Sequence, residues 1–185
     1  MIGNDVVDLA LAKKKHNWKR SGFLNKVFTE REQNLITTAE DPTKMVWSLW
    51  SQKESIYKII ARREQKRSFA PKSLNTSSEQ YHIETFYASD YIWSFAAELN
   101  YLATCKHWTC KTFLLPQNDY PTQHRITKNK LLQHFAQLSD LLIEELCIKK
   151  DAMGIPFVFH QEEQLPVLIS IAHHGHYGSY FIAIP

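Results

Sequence analysis

The chain has few cysteines and no long apolar run. Its three cysteines, Cys105, Cys110 and Cys147, form no Cys-x-x-Cys pair, which argues against a disulfide framework and against a cysteine zinc site. No apolar run reaches the roughly 18 to 20 residues that span a membrane, and the amino-terminal segment MIGNDVVDLALAKKK is acidic where a secretory signal would be basic. We therefore expect a cytoplasmic protein with reduced thiols and no membrane partner.

Charge of one sign is also scarce. The 185 residues carry a net charge of +3, with 22% charged and 44% hydrophobic residues, which excludes a disordered chain or a coiled coil. Short basic clusters lie at 13–15, 19–20 and 62–67. They would suit a phosphate-bearing ligand or an acidic partner, although solvated helix faces explain such runs equally well. A nucleic-acid-binding domain would also use them, but no motif for one is present, and we expect no nucleic-acid partner.

Hydrophobic periodicity predicts an α+β fold with antiparallel sheets and packed helices. A first strand is expected at residues 2–9. Helical spacing or a capping box occurs in four further segments: 8–24, 29–36, 43–63, and from a loop at 116–125 to about residue 146. β-branched and aromatic runs predict an antiparallel meander followed by three short strands; the meander runs are 81–88, 91–105 and 107–115, with 96–102 open to a helical reading.

One predicted helix carries two lysines around a glutamate, close to two tryptophans. In WSQKESIYK, Glu54 and Lys58 are four residues apart and share a helix face, while Lys53 lies about 100° round the helix. Such pairs are usually weak surface contacts. The large aromatic rings of Trp47 and Trp50 place this charged edge at the border of the core, where an ion pair needs a stronger reason.

Two aspartates end the predicted first strand. Asp5 and Asp8 could each bond only their own backbone, as aspartates in turns often do. If Asp5 instead meets Glu54 across the core, the two carboxylates with water and phosphate oxygens would form the oxygen shell that Mg²⁺ prefers. Lysines beside that ion would neutralise a pyrophosphate, which indicates transfer of a phosphate-bearing group.

Three histidines lie near the carboxyl terminus in SIAHHGHYG. His173 and His176 have no supporting ligand at a zinc spacing, so a zinc site is disfavoured. A histidine at a strand end, before a glycine turn and facing basic residues, would suit hydrogen bonding to a phosphate.

Five segments carry motifs in a defined order. They are a Gly-x-Asp strand in IGNDVVDL, a Phe-Thr-x-x-Glu segment in KVFTEREQNLI, a Trp-x-x-Lys-Glu-Ser-x-x-Lys signature in WSLWSQKESIYK, a Gly-x-Pro strand in DAMGIPFV, and a Ser-x-x-His strand pair in ISIAHHGHYGSYFIAI. Together they resemble the motifs of the 4′-phosphopantetheinyl transferase superfamily, whose members move the phosphopantetheine arm of coenzyme A onto a serine of a carrier protein.

The resemblance implies the 4′-phosphopantetheinyl transferase-like fold with two pseudo-repeated halves. Residues 1–115 would hold the Asp and Lys-Glu motifs, and residues 116–185 the Gly-x-Pro and Ser-x-x-His motifs. This order is permuted relative to the larger, surfactin-type members. The small holo-acyl-carrier-protein synthases share the order but are shorter and lack a leucine-rich second helix. A monomer suffices if the two halves fold on each other, whereas a homotrimer with shared sites is expected if the chain acts as one synthase-like unit.

The resemblance also implies roles for individual residues. Asp5 and Glu54 would bind Mg²⁺, Glu54 and Lys58 would act in catalysis, and the coenzyme A ligands would be Lys53, Lys58, Arg125 and His173. The implied reaction is Mg²⁺-dependent transfer of 4′-phosphopantetheine from coenzyme A, the co-substrate, to a serine of an acyl or peptidyl carrier protein. Glu32 would occupy the acidic position of the middle motif, or only cap its helix.

Three positions depart from the family pattern. Val7 stands at a third acidic position, Ile155 replaces the lysine of Gly-Lys-Pro, and Ala172 replaces the second serine before His173. These departures leave an alternative open, namely a coenzyme A or nucleotide-binding module of the same fold without transferase activity.

Overall fold

The computed structural model describes residues 1–185. Nine strands and five helices follow one another along the chain. Their bounds are β1 (Ile2–Asp8), α1 (Leu9–Lys15), α2 (Phe23–Val27), α3 (Glu30–Thr38), α4 (Pro42–Glu64), β2 (Tyr81–Tyr87), β3 (Tyr91–Glu98), β4 (His107–Leu114), α5 (Tyr120–Ser139), β5 (Leu146–Lys150), β6 (Pro156–His160), β7 (Glu163–Gln164), β8 (Leu168–His174) and β9 (Tyr177–Ile184).

The strands form three antiparallel sheets, which confirms the predicted α+β class. The strand orders are β1-β3-β2, β4-β9-β8 and β5-β6-β7. The predicted three-stranded meander is wrong in its last strand. β4 leaves β3 after a short helical turn at Leu102–Thr104 and pairs with β9, from His107 opposite Ile184 to Leu114 opposite Tyr177. β4 thus belongs by hydrogen bonding to the sheet of the carboxyl-terminal segment, and the division at residues 115 and 116 stays a prediction.

The helices follow local signals, with two differences from the sequence-based expectation. Thr29 and Glu32 form the predicted capping box at the start of α3. The predicted helix at 8–24 is two short helices, because α1 ends in extended backbone at His16 and α2 begins after Gly22 at φ 78°. α5 begins at Tyr120, inside the predicted loop, where Asp119 caps it, and it ends at Ser139 instead of near residue 146, where β5 begins. None of the helices is long and apolar enough to cross a bilayer.

β1 is covered on both faces. Its odd-numbered residues Gly3 and Val7 face the helices, with Val7 in an apolar cluster that includes α4 side chains. Its even-numbered residues Ile2 and Val6 pack against β8 and β9 of the second sheet. Burying each of these aliphatic side chains contributes about 1.5–3 kcal/mol. Asp5 is the one residue of the strand that stays half-buried, and it lies at the centre of the helix-facing row.

Side chains of β8 accept hydrogen bonds from backbone amides on the edge of β1 that pairs with no strand. The amide of Asn4 donates to Ser170 Oγ at 3.0 Å, and the amide of Asp8 donates to His174 Nδ1 at 3.0 Å. Both donors and both acceptors are spaced four residues apart, so the two strand edges run side by side. The edge amides, which would otherwise be buried without a partner, are thereby satisfied.

Two cations of α4 satisfy carbonyl groups along the same seam. Lys58 Nζ donates to the carbonyl oxygens of Asn4 at 2.6 Å and Ile171 at 3.1 Å. Arg62, one turn further on, donates to the carbonyl oxygen of Ile169 at 2.9 Å. Because Arg62 is buried in this way, it is not part of an exposed basic surface.

Lys53 is enclosed by protein groups, and its predicted role as a pyrophosphate ligand stays a prediction. Its side chain is 0% exposed, and its ammonium group contacts Glu32 Oε1 at 2.9 Å and the carbonyl oxygens of Pro71 and Leu74 at 2.9 and 2.8 Å. Burial lowers the pKa of Lys53, and Glu32 opposes that shift. Lys53 therefore joins α4 to α3 and to the turn at 71–74.

We expect Gly3→Ala to destabilise the protein more than Gly22→Ala. A Cβ at Gly3 would lie 2.0 Å from the Ser55 carbonyl oxygen, so α4 would have to move, whereas a Cβ at Gly22 meets nothing within 4 Å. Overpacking at Gly3 costs about 3 kcal/mol, against about 1 kcal/mol for the left-handed backbone at Gly22. Urea unfolding measures both values. Equal losses would contradict the close contact between β1 and α4.

We expect Lys53→Met and Glu32→Gln each to lower the free energy of unfolding by about 3 kcal/mol, because either change leaves a buried group without its partner. The double variant should lose less than the sum of the two losses. Lys44→Met, on the exposed side of the same helix, is the control and should change stability little. Chemical denaturation of the four variants checks this, and an unchanged midpoint for Lys53→Met would show that the ammonium group is not enclosed as described.

Candidate functional site

One stripe of α4 carries the predicted catalytic residues to the middle of β1. Glu54 and Lys58 lie one turn apart on this stripe, next to the Gly3 to Asp5 part of the strand. The contact is close because Gly3 has no side chain and because Ser55 is small and buried against Ser94. The structure thus brings together Asp5, Glu54 and Lys58, as predicted.

The electrostatics of this group are set by two carboxylates and one ammonium. Burial raises the pKa of Asp5 to about 7; Lys58 opposes the shift and the charge of Glu54 adds to it. Burial also raises the pKa of Glu54, again opposed by Lys58. The lysine alone therefore does not compensate two negative charges, and the pair favours a further cation.

The two carboxylates open into a cavity of about 550 Å³, which we call the carboxylate cavity. Its apolar walls include Trp47, Trp50 and Phe23, and its remaining walls are basic and imidazole side chains. These are Lys15, His16, Arg20, His173 and His174. An anionic ligand with an apolar portion would suit this lining.

A second cavity, of about 430 Å³, lies between α4, α5 and β8, and we call it the cation cavity. The charged and imidazole side chains that line it are Lys58, Arg62, Arg67, His124, Lys150 and His173. Tyr120 covers one side and stacks on His124, with the ring centroids 5.6 Å apart and the planes at 11°. No acidic side chain lines this cavity. The combination suits a ligand that carries phosphates and a planar ring.

His173 is shared by the two cavities. Burial, followed by the charges of His124 and Lys58, lowers its pKa to about 4. The ring is therefore neutral at physiological pH. Its predicted role as a coenzyme A ligand stays a prediction.

Arg125 does not line either cavity, and its predicted role as a coenzyme A ligand stays a prediction. Its side chain is exposed on α5. Arg67 and Lys150 do line the cation cavity, and neither was among the predicted site residues. Arg67 belongs to the basic cluster at 62–67, which was open to interpretation as a solvated face. Lys150 ends an edge strand without any motif around it.

The glycine of the Gly-x-Pro segment explains how Arg67 enters the cation cavity. Gly154 has φ 75°, and a Cβ there would lie 2.1 Å from Arg67 Nη2. Arg67 Nε also donates to the carbonyl oxygen of Met153 at 2.7 Å. The guanidinium group therefore lies directly over the backbone of this turn, beside the buried Ile155.

The chain has clear similarity to one protein family. Residues 1–120 match the model of the 4′-phosphopantetheinyl transferase superfamily. A holo-[acyl-carrier-protein] synthase of Natranaerobius thermophilus is 33% identical over 62 residues, which cover 32% of this chain and 47% of that protein. The chain thus spans about half the length of this curated relative.

A solved structure also aligns with the chain. It is the crystal structure of Helicobacter pylori holo-[acyl-carrier-protein] synthase in complex with coenzyme A, at 11% identity and a TM-score of 0.28, with 100% of both chains covered. The family match alone extends over 120 of the 185 residues. The chain therefore belongs to the 4′-phosphopantetheinyl transferase superfamily.

Proposed function

We propose that this protein transfers the 4′-phosphopantetheine group of coenzyme A to a serine hydroxyl of an acyl or peptidyl carrier protein. The observation that carries this proposal is the pair of half-buried carboxylates, Asp5 and Glu54, beside Lys58 at the point where two basic cavities meet. Membership of the superfamily supports the same reaction.

The nucleotide end of coenzyme A fits the cation cavity. Arg67 and Lys150 would bind its phosphate groups, and the stacked rings of Tyr120 and His124 offer a flat surface for the base. The carboxylate cavity then accepts the pantetheine arm against Trp50 and its neighbours. The pyrophosphate that joins the two ends would lie near His173, which lines both cavities.

Magnesium fits the carboxylate pair. Mg²⁺ is usually bound by one or two carboxylates together with water and substrate phosphates, and Asp5 and Glu54 supply two carboxylates whose raised pKa values reflect uncompensated burial. No group of three or more His, Cys, Asp or Glu side chains is arranged as a complete metal site, so phosphate oxygens and water would supply the other ligands. Val7, at the position of a third acidic ligand, instead packs in the core. When bound, Mg²⁺ would neutralise charge on the pyrophosphate oxygens.

The proposed reaction is a phosphoryl transfer to the serine oxygen. The carrier serine Oγ forms a bond to the β-phosphorus of coenzyme A, and the bond from that phosphorus to the bridging oxygen breaks. The leaving group is adenosine 3′,5′-bisphosphate, and the serine proton passes to the Glu54 carboxylate. Lys58 stabilises the negative charge that develops on the leaving phosphate.

Lys58 is held in place for this role by the backbone. Its ammonium group donates to carbonyl oxygens of β1 and β8 and keeps a third donor for the ligand. A lysine fixed in this way loses little conformational freedom when the ligand binds.

We expect Glu54→Gln to reduce transfer by at least about 100-fold, since a neutral amide removes both the proton acceptor and half of the carboxylate pair. The measurement uses chromatography to monitor the release of adenosine 3′,5′-bisphosphate from coenzyme A in the presence of an apo carrier protein. Glu64→Gln, on the exposed end of the same helix, is the matched control and should keep the full rate.

A Glu54→Gln variant that folds and retains the wild-type rate would refute the proposed role of the carboxylate pair. Saturable binding of coenzyme A by the wild-type protein, without release of product from any of several carrier proteins, would favour the binding module instead.

We expect Lys150→Ala to weaken coenzyme A binding about tenfold, the loss expected for one charge-assisted hydrogen bond. Lys149→Ala is the matched control, because Lys149 lies next to it on β5 but contacts Phe159 and Glu162 outside the cavity. Calorimetry at two salt concentrations measures both affinities. Equal affinities for the two variants would show that the nucleotide end does not occupy the cation cavity.

A further inference from the structure

His174 is the residue next to His173, and no motif in the sequence assigns it a role. Its Nδ1 accepts a hydrogen bond from the backbone amide of Asp8 at 3.0 Å. A backbone amide can only donate, so Nδ1 must be unprotonated. The single ring proton of the neutral imidazole is therefore on Nε2.

The carboxylate of Asp8 is itself held by two backbone amides. Its Oδ1 accepts from the Leu11 amide at 2.9 Å, and its Oδ2 accepts from the His176 amide at 2.9 Å. Gly175, between His174 and His176, has φ 59°, and a Cβ there would lie 2.1 Å from Asp8 Oδ2. The turn after β8 is thus built around the Asp8 carboxylate, and the position of the His174 ring follows from it.

The other nitrogen of His174 has no protein partner. Its ring lines the carboxylate cavity with Asp5, Glu54 and His173, while the only hydrogen bond of the side chain is the one from Asp8. Burial lowers the pKa of His174; Asp8 opposes this, and His16 and Lys15 lower the pKa further. The ring therefore offers a neutral Nε2–H donor to the cavity.

A neutral donor has a specific use beside two carboxylates. An imidazolium would pair with Asp5 or Glu54 and oppose the cation that these carboxylates favour. A neutral N–H can instead hydrogen-bond a phosphate oxygen without adding a charge. Lys15 and Arg20, which also line the cavity, supply the positive field that draws the anion in.

We propose that His174 is a substrate-contacting residue whose Nε2–H donates a hydrogen bond to a phosphate oxygen of coenzyme A in the carboxylate cavity, and that Asp8 is the positioning residue that sets its tautomer. This inference rests on the proposed function for the identity of the ligand. The tautomer itself rests only on the contact with Asp8.

Two substitutions separate the structural contact from the ligand contact. In His174→Asn the side-chain oxygen can replace Nδ1 as the acceptor for Asp8, but nothing replaces Nε2. In His174→Gln the amide nitrogen can reach the position of Nε2, but the acceptor for Asp8 is lost. His176→Asn, in the same turn and with an exposed side chain, is the control.

We expect His174→Asn to unfold at nearly the wild-type urea concentration and to bind coenzyme A about tenfold more weakly, as expected for a lost hydrogen bond to a charged group. We expect His174→Gln to retain most of the affinity and to unfold at lower urea, and His176→Asn to change neither property. A His174→Asn variant with wild-type affinity and transfer rate would overturn the ligand contact. A wild-type protein that binds no coenzyme A would overturn the proposed function and this contact with it.

The role of Asp8 has an independent test. Nitrogen-15 NMR of the free protein, with His174→Asn used to assign the ring signals, should show a protonated Nε2 and an unprotonated Nδ1. The opposite tautomer would overturn the positioning role of Asp8 whether or not coenzyme A binds.

Discussion

The structure depends on the seam between the free edge of β1 and the free edge of β8. Neither edge pairs with another strand along this seam. Side chains of Ser170 and His174 accept from the β1 amides, while Lys58 and Arg62 cover carbonyl groups of both strands. An unpaired buried amide or carbonyl costs about 1–3 kcal/mol, so these polar side chains are required for the two sheets to meet at all.

The same seam supplies the chemistry of the candidate site. Lys58 contacts both strands and borders the carboxylate pair, and the strand end that carries His174 also carries His173. Burial of Asp5 and Glu54 beside a single lysine leaves negative charge uncompensated. A cation and a phosphate ligand with its own cationic partners would restore the balance. Residues that hold the fold together thus also prepare the site for an anionic substrate.

Local patterns predicted the elements that form the site, and long-range contacts determined the rest. Periodicity and a capping box were sufficient for α4 and the start of α3, and the spacing of Glu54 and Lys58 placed them on one face. The sequence could not tell that Lys53, one position away, contacts a buried carboxylate on α3. The pairing of β4 with β9 and the approach of Lys150 and Arg67 to one cavity depend on residues far apart in the chain. No local signal marks such contacts.

We propose that the two cavities form one site for a metal-dependent transfer of phosphopantetheine. The most direct test is the intact mass of an apo acyl carrier protein after incubation with this protein, coenzyme A and magnesium, with and without a chelator. We expect a gain of one phosphopantetheine group that disappears when the metal is chelated. No gain across several carrier proteins, alongside a transferase of known activity as positive control, would contradict it, and a gain that survives chelation would contradict the metal role of Asp5 and Glu54.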